Sequence, residues 1–360
     1  MRGAGLAREE FFSTDAGLFS LPICLEIALN SGKRFNGRRR VGVATPDPES
    51  FTGIDQVIDA FKVQVEHMVT RMIGYQQLIE KGNRDYHPTP LSSLLVDGCI
   101  ESGKDVTAGG ALYNSSGIQG IGVADVADSL AALDDVVFTR HQYTIPQILK
   151  ALRTNFASDP KIHAELLKAP KYGNDHALPD SYADLSVHIF HTALARYRNT
   201  RGGPYVPGFY SVTSHVAFGK LVGALPSGRR AGEPFASSLG PANGIDHSGP
   251  TALLNSVAHI DSTLAPNGYA LNLRFDPDTL TGDRGIDIMS PLVKGFFDSG
   301  GMEMQLNVLD PAMLEDERVN PGKYPGLVVR VAGYCAYFDD LPDSAKQEII
   351  TRTRKRYKKD

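Results

Sequence analysis

Arg330-Val331-Ala332-Gly333-Tyr334-Cys335-Ala336-Tyr337-Phe338 is the stretch on which the reading of this chain turns. Leu327-Val328-Val329-Arg330-Val331 has the β-branched, apolar character of a short strand, and Ala332-Gly333-Tyr334 ends it. Taken alone, this is a strand closing in a glycine bulge. A last helix is expected beyond it, with Ser344 and Gln347 spaced as a capping box and Ile349, Ile350 and Thr353 on one side. Its terminal Arg352, Arg354, Lys355, Arg356, Lys358 and Lys359 suit the negative end of a helix dipole and read as a solvated tail.

Working back towards the N-terminus, Tyr269, Leu271, Leu273 and Phe275 alternate with Ala270, Asn272 and Arg274. Met304, Leu306 and Val308 alternate in the same way with Gln305 and Asn307, so both segments read as half-buried strands with the apolar set inward. The first half carries helical periodicity instead. The clearest run, Ile54 to Lys81, places Val57, Phe61, Val65, Met68, Val69 and Met72 three and four residues apart, capped by Thr52 or Asp55 and stopped by Gly82. Further helices are expected at about 125 to 137, 146 to 156, 161 to 168 and 181 to 199, and Leu21 to Leu29 reads as a core helix. Glycine and proline punctuate between them at Asn83 to Pro90 and Gly202 to Pro207.

The chain has 360 residues, 37 Lys+Arg against 41 Asp+Glu and a hydrophobic fraction of 42%. A net charge of -4, without a basic stripe, argues against a nucleic-acid or membrane-surface partner. Leu18 to Leu29 is interrupted by Pro22 and Glu26, so it reads as neither a signal peptide nor a membrane span. Cysteines at 24, 99 and 335 build no disulfide framework and no Cys-x-x-Cys motif, which fits a reducing, cytoplasmic setting.

The residue types that could carry chemistry each have a plainer reading. Gly109-Gly110 and Gly117 to Gly122 precede a helix, as a phosphate site would, but their spacing matches neither a dinucleotide fingerprint nor a P-loop. A tight packed turn is the better reading. His188 and His191 lie one helical turn apart with nothing to complete a metal site, so no metal is expected. No Gly-x-Ser-x-Gly elbow fixes a hydrolase triad. Gly98-Cys99-Ile100-Glu101 sets a thiol beside a carboxylate, and spacing alone favours a buried, inert cysteine there.

As a whole the sequence resembles the glycyl radical enzymes, the pyruvate formate-lyase family, and within it the dehydratase and lyase branch. Gly333 falls on the radical glycine of the family's C-terminal pattern, which continues through Glu348-Ile349-Ile350 and Arg352-Thr353. Gly228-Arg229-Arg230-Ala231-Gly232-Glu233-Pro234, Gly249-Pro250-Thr251-Ala252, Gly300-Gly301 with Gln305 and Asn307-Val308, and Pro170 to Asp175 also follow it. Glycine suits the role because a Cα-centred radical is stabilised by delocalisation through its flanking amides, and no side chain then crowds the planar centre. The surrounding fold must supply the shielding.

The resemblance implies an α/β fold, the C-terminal half of a ten-stranded α/β barrel with the glycine loop inside. It divides the chain into residues 1–224, the C-terminal part of a pyruvate formate-lyase-like domain, and residues 225–360, a glycine radical domain. No bound cofactor is implied; a radical-SAM activase using S-adenosylmethionine would install the radical at Gly333. The family's thiyl cysteine stands in a Gly-Cys-x-Glu loop that should lie just before Ser13-Thr14-Asp15-Ala16, and Met1 to Phe12 contains no cysteine. Gly98 to Glu101 imitates the motif but belongs to a segment downstream of that loop. The chain is therefore expected to be the C-terminal part of a longer enzyme, completed by a missing N-terminal portion, and one half alone would expose strand edges and apolar surface.

Asp15 falls on an aspartate that contacts substrate hydroxyls in the dehydratase branch. The expected activity is cleavage of a C–O or C–N bond in a small polar substrate, and a homodimer is the family's usual state. Three alternatives stay open: a pyruvate formate-lyase-type acyltransferase, a radical-bearing accessory subunit with no turnover of its own, and a decayed gene product.

Overall fold

A computed structural model describes residues 13–37, 39–275, 277–331 and 334–353. Three strands, β1 (Ser13–Ser20), β2 (Ser116–Ile121) and β3 (Tyr205–Gly208), form a parallel sheet in that order. β4 (Asn272–Arg274) and β5 (Gln305–Asn307) form a second parallel pair, and a parallel bridge between Phe209 and Tyr269 carries the hydrogen bonding from the end of β3 towards β4. β6 (Val328–Arg330) and β7 (Cys335–Tyr337) make an antiparallel hairpin. Parallel neighbours require long crossovers, and helices supply them here.

The helices fall close to where periodicity places them. Leu21–Ala28, Ile145–Arg153, Pro160–Lys168 and Ala177–Ala195 agree with expectation to within a few residues. Helix Val123–Leu133 is buried at every position and is followed by a π-helical turn, Asp134–Thr139. Helix Ile54–Tyr86 departs from the reading at both ends. Its N-cap is Gly53 with no side-chain cap, and it runs through Gly82 instead of stopping there. One glycine costs a helix only about 1 kcal/mol, and buried Glu80 ties this end down: it accepts from Ser116 Oγ at 2.7 Å and from the Thr200 amide at 3.0 Å.

The strands of the first half were hidden by their glycines. β2 takes up most of the run read as a turn, Gly117 to Gly122, because the sheet lies against two aromatic rings. A Cβ on Gly120 would sit 2.8 Å from the Phe209 ring and 3.0 Å from the Phe190 ring. Gly122 has φ +86°, and a side chain there would run into Pro22. The glycines are packing devices, as the plainer reading held. Phe19 stacks on Phe190 with 5.0 Å between centroids, and Phe190 meets Phe209 edge-on at 6.2 Å. These rings lie in one large apolar cluster that runs from Phe19 to Phe296.

A second, smaller cluster stands apart: Leu314, Val329, Val331, Phe338, Leu341, Ala345, Ile349 and Ile350. It holds the β6–β7 hairpin against helix Asp343–Thr353. That helix starts at Asp343, so Ser344 is its second residue and the expected capping box does not form; Gln347 turns to Thr351 instead. Large apolar side chains are exposed along one stretch, including Tyr75, Leu78, Tyr86, Leu91, Leu95 and Ile100. Among the described residues no helix is long and apolar enough to cross a membrane.

Candidate active site

The hairpin is the natural starting point. Its register pairs Arg330 with Cys335, Val329 with Ala336 and Val328 with Tyr337. The Val331 amide donates to the Tyr334 carbonyl at 2.9 Å, and the Phe338 amide to Leu327 at 2.8 Å. Arg330 donates from Nη1 to Cys335 Sγ at 2.9 Å, which ties the two strands together beside the turn. Gly333, the expected radical carrier, lies outside the described residues, so the site is built from its flanks. Their side chains divide cleanly: Val329, Val331 and Phe338 are buried, while Cys335 and Tyr337 are exposed.

β5 lies beside β6, and the β4–β5 pair presents a polar face. The register sets Asn272 opposite Gln305 and Arg274 opposite Asn307, so all four side chains share one side. Alternation foretold this pattern but not its direction on β5. Gln305 and Asn307 are buried at 3% and 7% exposure, whereas Leu306 and Val308 are exposed, the reverse of the expected apolar-in arrangement. On β4 the expectation holds, because Leu271, Leu273 and Phe275 lie in the main core. Asn272 Oδ1 and Asn307 Nδ2 are buried and find no hydrogen-bond partner among the described residues, an acceptor and a donor on adjacent strands. Such groups are costly unless something polar meets them.

Asp15 lies on β1, at the edge of the sheet, and is exposed. The β1–β2 register shifts between Ser13 and Gly17, so Asp15 sits within an irregular stretch, the kind of bulge that re-aims a side chain.

Gly98-Cys99-Ile100-Glu101 forms a local structure. Glu101 Oε2 accepts from the Gly98 amide at 3.0 Å across one short turn. Cys99 is buried, and burial together with the Asp105 and Glu101 carboxylates raises its thiol above the ordinary range. A nucleophilic or metal-binding cysteine needs the opposite shift. His191 Nδ1 lies 3.1 Å from the Leu264 carbonyl oxygen, and among the described residues no group of three His, Cys, Asp or Glu could hold a metal ion.

Sequence reasoning missed what organises the loops around the site. Helix Val123–Leu133 is otherwise apolar or small, yet it buries Asp125, Asp128 and Ser129. Asp125 Oδ2 accepts from the Ala236 amide at 2.9 Å, Asp128 Oδ1 from Tyr172 at 2.7 Å and Ser129 Oγ from Ser227 at 3.2 Å. Three loops are thereby fixed to one helix face. Burial pushes the Asp125 carboxyl up to about 6, against the pull of Arg229; it raises Asp128 and lowers neighbouring Lys171. Arg229 donates to the carbonyls of Gly223 at 2.9 Å and Gly219 at 2.6 Å, and its guanidinium lies 4.5 Å above the Phe235 ring. Two acids three residues apart in an apolar helix were the available signal.

Comparison with known proteins now bears on this geometry. The family profile described as Pyruvate formate lyase-like matches residues 4–219, and that described as Glycine radical matches residues 235–339. The chain is 35% identical to trans-4-hydroxy-L-proline dehydratase of Clostridioides difficile, over 95% of this chain and 43% of the relative. It is 31% identical to (2S)-3-sulfopropanediol dehydratase of Klebsiella oxytoca, over 97% of this chain and 43% of that relative. Among solved structures, the glycerol-bound B12-independent glycerol dehydratase from Clostridium butyricum superposes with a TM-score of 0.93 at 38% identity, covering 95% of this chain and 43% of that one. Hydroxyproline dehydratase from Clostridioides difficile with its substrate bound gives 0.90 at 36%, covering 94% and 43%. The chain spans less than half the length of each. Matched along nearly its whole length, the chain belongs to the pyruvate formate lyase-like family of glycyl radical enzymes, and its relatives are dehydratases and lyases of that family.

Proposed function

We propose that Gly333 stores a radical for a dehydratase or lyase that cleaves a C–O or C–N bond of a small polar substrate. A radical-SAM activase, using S-adenosylmethionine, removes one Cα hydrogen from Gly333. The resulting radical takes a hydrogen atom from a cysteine thiol, which restores glycine and leaves a thiyl; the thiyl then takes a hydrogen atom from the substrate. This chain supplies the storage site. The thiyl cysteine comes from the part of the relatives' length that this chain does not span. Five strands in chain order, β1 to β5, then make one half of the family's ten-stranded barrel, and Asp15 on the first of them meets a substrate hydroxyl. The division near residue 225 follows the family, since the main apolar cluster continues past it to Phe296.

What supports this reading is the match of the Glycine radical family profile to residues 235–339, a stretch that includes Gly333 in sequence and the paired strands β6 and β7. Incubation with a cognate activase is expected to produce a glycine-type doublet in the EPR spectrum, lost in Gly333→Ala. A silent spectrum from folded wild-type protein would sink it. Because the chain spans 43% of its dehydratase relatives, a second reading stands beside the first: a radical-bearing subunit that turns over only with a partner. Isolation of a lone, catalytically competent chain would remove that reading.

A further inference from the structure

The lobe that carries the Gly333 hairpin meets the body through polar surface. Helix Asp343–Thr353 turns Ala345, Ile349 and Ile350 into the lobe's own apolar cluster. Its other side presents Ser344, Gln347, Glu348 and Thr351, three and four residues apart, to a cavity of about 540 Å³ whose far wall includes Lys171 and Arg229 of the body. Helices that dock permanently fill such a seam with apolar side chains. Here two buried polar side chains face each other across it. Glu348 Oε1 lies 3.6 Å from His215 Nε2, and both residues are buried, at 5% and 1% exposure.

His215 is held firmly on the body side. Its Nδ1 lies 3.0 Å from Ser211 Oγ, and Ser211 and Ser238 exchange two hydrogen bonds, each 3.2 Å, from the amide of one to the hydroxyl of the other. The Phe235 amide donates to the His215 carbonyl at 3.1 Å. The imidazole is therefore a fixed post, and Glu348 sits on the helix whose opposite face grips both strands of the hairpin.

We propose that His215 and Glu348 are positioning residues that seat the Gly333 hairpin against the body. Its catalytic meaning rests on Gly333 being the radical site; the seating does not. Hydrogen exchange on the full 360-residue chain tests it, with Glu348→Gln, His215→Gln and the double variant. Amides of 327–331 and 334–338 are expected to exchange about tenfold faster in either single variant, because the close approach of the carboxyl group to the imidazole across the seam is changed and the lobe loosens locally. The double variant should exchange no faster than the singles, and β2 should keep its wild-type protection. Wild-type exchange in the hairpin, equal acceleration in β2, or independent effects that add in the double variant would each overturn the proposal. Exchange needs no radical, so a silent EPR spectrum leaves this result standing, and unchanged exchange leaves the radical reading standing.

Discussion

The body and the hairpin lobe solve the same problem, fixing a short strand, in opposite ways. In the body, β1, β2 and β3 lie over stacked rings within one cluster that runs from Phe19 to Phe296, and buried carboxylates tie loops to a central helix. In the lobe a handful of side chains around Val329, Phe338 and Ile350 make a separate core, joined to the body through a polar seam. The lesson is that stability and placement are separable: the body sets whether the protein is folded, and the seam sets where the hairpin sits.

The sharpest way to break this contrast is to open a hole in each core. Phe190→Ala removes the ring shared by Phe19 and Phe209 and should cost about 4 kcal/mol of global stability, read by urea denaturation. Ile350→Ala should cost the lobe about 3 kcal/mol, yet hydrogen exchange should show the loss in 327–353 and not in β2. Equal loss in both regions would make the two cores one cooperative unit.

Asp125 sharpens the comparison through pH. Its carboxyl is raised to about 6 in the fold, so between about pH 4 and 6 the native state binds more proton than the unfolded chain, and this group's contribution falls as pH rises. Asp125→Asn should lose that slope. The wild-type advantage over the variant should shrink by about 2 kcal/mol from pH 4 to pH 7, measured by denaturation at each pH. A pH-independent difference would show that Arg229 keeps the carboxylate ionised throughout. The smallest effect belongs to Gly82→Ala, where an added Cβ meets nothing within 4 Å and should stabilise helix Ile54–Tyr86 by about 0.5 to 1 kcal/mol, seen as a higher thermal midpoint.

What could be read from the residues alone follows the same division. Long periodic helices and the alternating β4 were legible because one face of each is buried against the main core. β2 and β3 were not, because Gly117, Gly120, Pro207 and Gly208 were chosen for close approach and look like punctuation. β5 was legible as a strand but inverted, since a segment with polar residues buried defeats the rule that apolar side chains face inward. Asp125 and Asp128 went unnoticed because their partners, Ala236 and Tyr172, lie far along the chain. Gly333 was legible only through the resemblance of its surroundings to a family pattern, since local physics sees only a turn.

The strand order has a consequence for how the protein is made. β1, β2 and β3 line up in the order in which they are synthesised, and the bridge from Phe209 to Tyr269 continues the series towards β4 and β5. Each newly emerged strand can dock on the one before it, so no earlier pair must open to admit a latecomer. The hairpin lobe leaves the ribosome after the body and draws on close neighbours in sequence, Val328 to Tyr337 with the helix that follows. Contacts of short sequence separation form fastest, so the lobe should be among the quickest parts to assemble.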